Sequence, residues 1–267
     1  MSTIWAFIKK DSSLALSYRL SFLLQFLGMF FAIATFYFLS QLISESMSGP
    51  LAAYGGEYFP FVLLGLAFST YMTLGLQTFS STIREGQVMG TLEIMLLSPT
   101  KLSMILLSSS IWAYLFDSVK VLIFLLFGVI VFGVSFANAN VLATGVILVL
   151  SVVCFASIGI ISAAFVMVLK KGDPVAWALG GLSTLLSGVF YPVTVLPQWL
   201  QPLSYFFPLT YALNAIRHAV LQGYSLYALR LDIFALIGFS IILLPIALLS
   251  FRLAVKRAKT EGSLVHY

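Results

Sequence analysis

The chain has 267 residues, of which 61% are hydrophobic, 15% aromatic and only 9% charged. A soluble domain carries about 25% charged residues, so this chain lacks the polar surface to face water over its whole area. With a mean hydropathy of +1.06, a soluble globular enzyme is excluded and lipid becomes the main solvent. The net charge of +5 does not argue for nucleic acid as a partner, because the basic residues flank apolar segments and so report membrane topology.

In chain order, residues 1–19 predict an interfacial helix. Ile4, Phe7 and Ile8 follow helical spacing before Lys9, Lys10 and Asp11 interrupt it, as in a segment lying on a membrane surface; an extended tail is the alternative. The apolar stretch 20–43 exceeds the roughly 7–15 residues of a signal-peptide core and predicts a first span, about 36 Å of helix. Further spans are predicted at 59–83, 102–134, 141–169, 175–189 and 233–251. Between the last two lies 190–231, apolar but punctuated by Pro192, Pro197, Pro202 and Pro208. Proline removes a backbone donor and clashes with the preceding turn, so this stretch predicts broken helices or a re-entrant hairpin.

Lysine and arginine set the orientation. With the N-terminus cytoplasmic, 11 of the 14 basic residues fall on the inner side, Arg217 and Arg230 fall outside, and Lys120 lies within a span. The expected fold is therefore an all-α membrane protein: one permease-like domain of six transmembrane helices with both termini cytoplasmic. The single cysteine, Cys154, cannot form an internal disulfide. His218 and His266 lie far apart, so neither a metal site nor a catalytic constellation is expected.

The longest cytoplasmic loop, 84–101, reads REGQVMGTLEIMLLSPTK. Val88, Leu92, Met95 and Leu96 recur at i, i+4, i+7 and i+8, one apolar helical face, and Pro99 marks a stop. A short helix with such a face lies either in a cytoplasmic partner's groove or flat on lipid. Here the sequence resembles a family: GTLEIMLLSP is similar to the GTLE-x-L-L-x-(S/T)-P loop of type-2 ATP-binding-cassette (ABC) export permeases, especially their drug-export branch. A second stretch, SGVFYPVTVLPQWLQPLSYFFPLTYALNAIRHAVLQG, is similar to the SG-x-F-x-P…LP-x-W…P-L-x-Y…R…G pattern before the last span of these proteins.

The resemblance implies that residues 85–99 form a coupling helix docked on a separate ATPase subunit, with Glu85, Gly90, Thr91, Leu92, Glu93, Met95, Leu96 and Pro99 as its coupling residues. It implies an outer re-entrant gate carrying Pro192, Pro197, Trp199, Pro208 and Arg217. It also implies that two permease chains pair, as homodimer or heterodimer, with the second and fifth spans lining the path. No G-x-x-x-x-G-K-[ST] occurs and no lysine directly follows a glycine, so ATP and Mg are expected on the partner and no enzyme activity on this chain.

Three features inside the spans keep two readings each. Phe61, Phe68, Tyr71 and Phe79 share one face of the second span, either a pathway wall for an amphipathic cargo or ordinary packing. Gly180, Thr184 and Gly188 recur at four-residue intervals, a small-xxx-small pattern that fits a dimer seam or an intrachain contact. Asp117 and Lys120, at i and i+3, form an intramembrane ion pair or a proton relay. The expected function is export of a hydrophobic or amphipathic molecule across a bacterial-type inner membrane, with a lipid-linked polysaccharide as the nearest alternative. A proton-coupled carrier using Asp117 and Lys120 is the alternative of another class.

Overall fold

A computed structural model describes residues 19–97, 102–169 and 173–260; the predicted interfacial segment before Arg19 lies outside them. The chain forms α1 (Arg19–Leu51), a 3-10 turn (Ala52–Tyr54), α2 (Tyr58–Val88), α3 (Leu92–Leu97), α4 (Leu102–Phe132) and α5 (Val141–Leu169). It continues with α6 (Pro174–Leu186), a second 3-10 turn (Val193–Val195), α7 (Gln201–Ser204), α8 (Pro208–Leu221) and α9 (Arg230–Thr260). No strand occurs among the described residues. By length and composition α1, α2, α4, α5 and α9 can each cross a bilayer.

α1 runs eight residues beyond the predicted end at Ile43. The cause is tertiary: Leu51, fully buried, packs with Tyr58, Phe61 and Val62. Ser46 meanwhile turns its hydroxyl back to the Ile43 carbonyl at 2.9 Å, which keeps a polar residue compatible with helix.

α2 is the centre of the molecule, with α1, α4, α5, α6 and α8 all packed on it. Its closest approach is to α5. A Cβ at Gly159 would overlap the Gly75 carbonyl oxygen, and one at Gly75 would press into Phe155, so backbone touches backbone where both residues are glycine.

The helices gather their connections at two ends. At one, Gln222 Nε2 donates to the Ala53 carbonyl at 2.8 Å, and Asn140 donates through its backbone to Ala219 at 2.9 Å. This end thus joins the α1–α2 turn, the α4–α5 loop and the α8 terminus. At the other, Leu92 of α3 packs with Ile83 of α2, Leu102 of α4, Met167 of α5 and Ala254 of α9.

The predicted fifth span, 175–189, is the 13-residue helix α6. That is about 20 Å, short of a hydrocarbon core about 30 Å thick. α6 starts inside the bundle: Asp173 caps it by accepting the Ala176 N–H at 2.9 Å and also accepts the Ser162 hydroxyl. Ser162 lies seven residues before the end of α5, roughly 10 Å along the helix. α6 ends at Leu186, and Gly188 then takes φ +81°, a left-handed turn natural to glycine. Beyond it the prolines punctuate short pieces: Pro192 precedes a 3-10 turn, and Pro202 and Pro208 occupy the first turns of α7 and α8, where a missing N–H costs nothing.

Candidate functional site

α2 divides its circumference between two stripes. Phe61, Phe68, Tyr71 and Phe79 are all buried: Phe68 meets Phe155 edge-on at 6.4 Å, and Tyr71 donates to Ser118 Oγ at 3.0 Å. Within the chain the four side chains thus pack against neighbouring helices, and none of them lines the large cleft on α2's open side. Both stripes obey the helical period, and bulk decides between them: the aromatic side chains fill the space against neighbouring helices, which leaves the smaller polar ones outside.

The open stripe is Ser69, Thr70, Thr73, Gln77, Thr78 and Ser81. It forms one wall of a cleft of about 690 Å³ between α1, α2 and α4. Asp117 and Lys120 of α4 face it, with Gly28 and Ala32 of α1 completing the lining. Lys120 Nζ lies 2.8 Å from Asp117 Oδ1, both side chains about one-fifth exposed, and 4.5 Å from the centre of the Phe116 ring. The predicted ion pair is thus formed midway along α4.

A second constellation ties the broken segment to α2. Arg217 on α8 is only 2% exposed. Its Nε donates to the Phe61 carbonyl at 3.1 Å, Nη1 to Gly188 at 2.8 Å and Nη2 to Val189 at 2.9 Å. The guanidinium lies 3.4 Å over the Phe61 ring, and Gly65 leaves it room, because a Cβ there would meet both the Val189 carbonyl and Nη2. Burial pulls its pKa down to about 9, so it stays charged at neutral pH. From the sequence Arg217 is expected on the outer side; in the fold its side chain is enclosed, and the carbonyls of Phe61, Gly188 and Val189 take the place of water. Beside it Tyr54 donates to Asn214 Oδ1 at 2.8 Å, and Asn214 Nδ2 to Asp232 Oδ2 at 2.8 Å. Burial raises the Tyr54 pKa above its ordinary value, which keeps that hydroxyl protonated as a donor.

At the opposite end Gly90, at φ +67°, separates α2 from α3, and the Thr91 N–H reaches back to the Gly86 carbonyl at 2.9 Å. The break rotates α3 out of register with α2, so the predicted single face from Val88 through Leu92 to Met95 does not exist. Leu92 is 1% exposed and Met95 packs against the same interior cluster, whereas Met89 is 72% and Ile94 68% exposed. Val88 and Glu85 are exposed as well. The side chains of Glu93 and Leu96, and Pro99 entirely, lie outside the described residues.

The model of the family described as ABC-2 type transporter matches residues 2–221. The chain belongs to the ABC-2 type transporter family. It is a permease component of an ABC transporter and a multi-pass membrane protein. No curated protein matches it. The family match takes in the cleft, the Arg217 clamp and the α2–α3 turn, and ends at the close of α8.

Other predicted residues of this ABC-2 chain fall as follows. Gly180 faces its own α2, with Leu76 Cδ1 3.5 Å from where a Cβ would stand, and Thr184 donates to the Gly180 carbonyl at 2.8 Å. Gly188 lies past the helix end, so the three do not form one continuous stripe. Pro192 and Pro208 are buried, while Pro197 and Trp199 are exposed. The residues that sequence reasoning missed are the cleft hydroxyls and Gln77. Their signal was present as Ser69, Thr73, Gln77 and Ser81, polar at strict four-residue spacing inside an apolar span.

Proposed function

We propose that this chain is the transmembrane subunit of an exporter, carrying an amphipathic molecule out of the cytoplasm or inner leaflet. Mg-ATP is bound and hydrolysed by a separate ATPase subunit, which stabilises one conformation over another. Two permease chains pair, each with six crossings, α6 being the short one, and both termini face the cytoplasm of a bacterial-type inner membrane. The observation that carries the reading is the α2–α3 turn: Met89 and Ile94 are apolar and exposed on the end that carries the basic residues Arg84, Arg252, Lys256 and Arg257. The docking surface is therefore Val88, Met89 and Ile94, with Leu92 and Met95 as the inward anchor.

The test is to affinity-purify the tagged chain from its own membranes and measure the Mg-ATP hydrolysis that accompanies it. The parent should bring down an ATPase. Met89→Asp and Ile94→Asp should each lose most of it while melting normally, because an aspartate would bury an unpaired charge at the contact. No ATPase with the parent overturns the exporter reading. Full retention by both variants overturns the docking surface.

A further inference from the structure

We propose that the cleft between α1, α2 and α4 binds the polyhydroxylated head of a neutral amphiphile, a glycoside or glycolipid. The proposal rests on the export reading above for its biological role, but as a statement about binding it can be tested separately.

The direction of the hydrogen bonds carries it. Five hydroxyls on the α2 wall already donate along their own helix. Ser69 donates to Leu66 at 2.9 Å, Thr70 to Ala67 at 2.6 Å and Thr73 to Ser69 at 3.1 Å. Thr78 donates to Leu74 at 2.7 Å and Ser81 to Thr78 at 3.2 Å. Such back-bonding uses the one proton each hydroxyl has. What the cleft meets is lone pairs, a ladder of acceptors along an exposed face. A ligand seated there must be rich in donors.

Charge narrows the choice. The ion pair of Asp117 and Lys120 neutralises the facing wall. A cationic ligand would have to displace Lys120 from the carboxylate, and an anionic one would have to displace Asp117 from the ammonium. A neutral ligand leaves the pair closed and can still accept from the ammonium's remaining protons. The Gln77 amide is exposed and makes no side-chain hydrogen bond among the described residues, so it adds two donors and an acceptor. A polyol meets this need, since it donates to many acceptors and accepts from a few donors at once.

Shape agrees. About 690 Å³ lies within the roughly 300–1,000 Å³ of small-molecule pockets. Met29, Leu66 and Phe124 add apolar lining, suited to a sugar's C–H face or the start of an alkyl tail. A Cβ at Gly28 would meet nothing within 4 Å, so the α1 side is open for a tail to leave towards lipid.

The experiment uses the full chain in lipid nanodiscs, without nucleotide, and a diazirine-tagged alkyl maltoside as photoprobe. Labelling should map to α1, α2 or α4. Unlabelled decyl maltoside should compete about tenfold better than decyl trimethylammonium or decyl sulfate of the same chain length. Thr73→Val with Gln77→Leu should reduce labelling about tenfold, the loss of one to two net hydrogen bonds. Ala32→Trp, which fills the cleft from an exposed position, should abolish it. Competition by either charged amphiphile as strong as by the maltoside overturns the proposal, whatever the variants do. So does labelling confined to other helices, or a disulfide-linked dimer through Thr73→Cys in a Cys154→Ser background, which would put a second copy in the cleft. A chain that labels as expected yet brings down no ATPase overturns the exporter reading alone. One that brings down ATPase but labels equally with all three competitors overturns the cleft assignment alone.

Discussion

At the scale of single residues, Arg217 holds a full charge in the interior because three backbone carbonyls and an aromatic face surround it. Removing the side chain would leave those carbonyls without a donor in a place water does not reach. Arg217→Ala should therefore destabilise the chain by about 3 kcal/mol. Arg217→Lys should recover only part of that, since an ammonium is a point donor and cannot match a planar fork. Detergent-solubilised melting, followed by loss of the monodisperse peak, reads the difference. An alanine variant that melts with the parent would show that the clamp does not hold the fold. Chain position alone could not have revealed this role. The sequence shows an arginine in apolar surroundings, and only the return of Gly188 and Val189 towards α2 supplies its partners.

At the scale of elements, the long helices were legible because an uninterrupted apolar run of span length leaves the backbone no other way to satisfy itself in lipid. Their ends and faces were less so. α1 extends to Leu51 because of a contact with α2 that its own sequence does not contain. The period of α2 fits its aromatic stripe and its hydroxyl stripe equally well, so packing had to choose. At α3 a left-handed glycine reset the helical phase, which turned Leu92 inward and left Ile94 outside. α6 is short because Asp173 begins it deep in the bundle. Asp173→Ala should cost about 1 kcal/mol through the lost cap, and the link to Ser162 should make the two residues interdependent. A double-mutant cycle with Ser162→Ala should give a coupling near ~1 kcal/mol; strictly additive melting shifts would show that Ser162 does not hold the start of α6.

At the scale of the whole molecule, the connections sort to two ends, and the basic residues sort with them. Arg84, Arg252, Lys256 and Arg257 belong to the α3 end, so the positive-inside bias predicts that this end faces the cytoplasm. Single cysteines at Ala52, Ala137 and Gln198, all exposed, should react with an impermeant thiol reagent added to intact cells in a Cys154→Ser background. Cysteines at Arg84 or Lys256 should react only after the membrane is opened. The reverse pattern would invert the chain, and a mixed pattern would mean that the broken segment crosses.

The glycine contact between α2 and α5 has a mechanical consequence. Two backbones in direct touch cannot be pressed closer and have no long side chains to flex between them, so the pair resists compression at that level like a beam. Leu92 fastens α3 to that beam and to α9 at one end, and Arg217 bolts the broken segment to it at the other. On the proposed docking of a partner at α3, we expect a push on its exposed side to travel along this pair towards its far end. α1 and α4 line the cleft opposite that pair, α4 held to it by the Tyr71–Ser118 hydrogen bond, and we expect the cleft to be the joint whose width such a push would change.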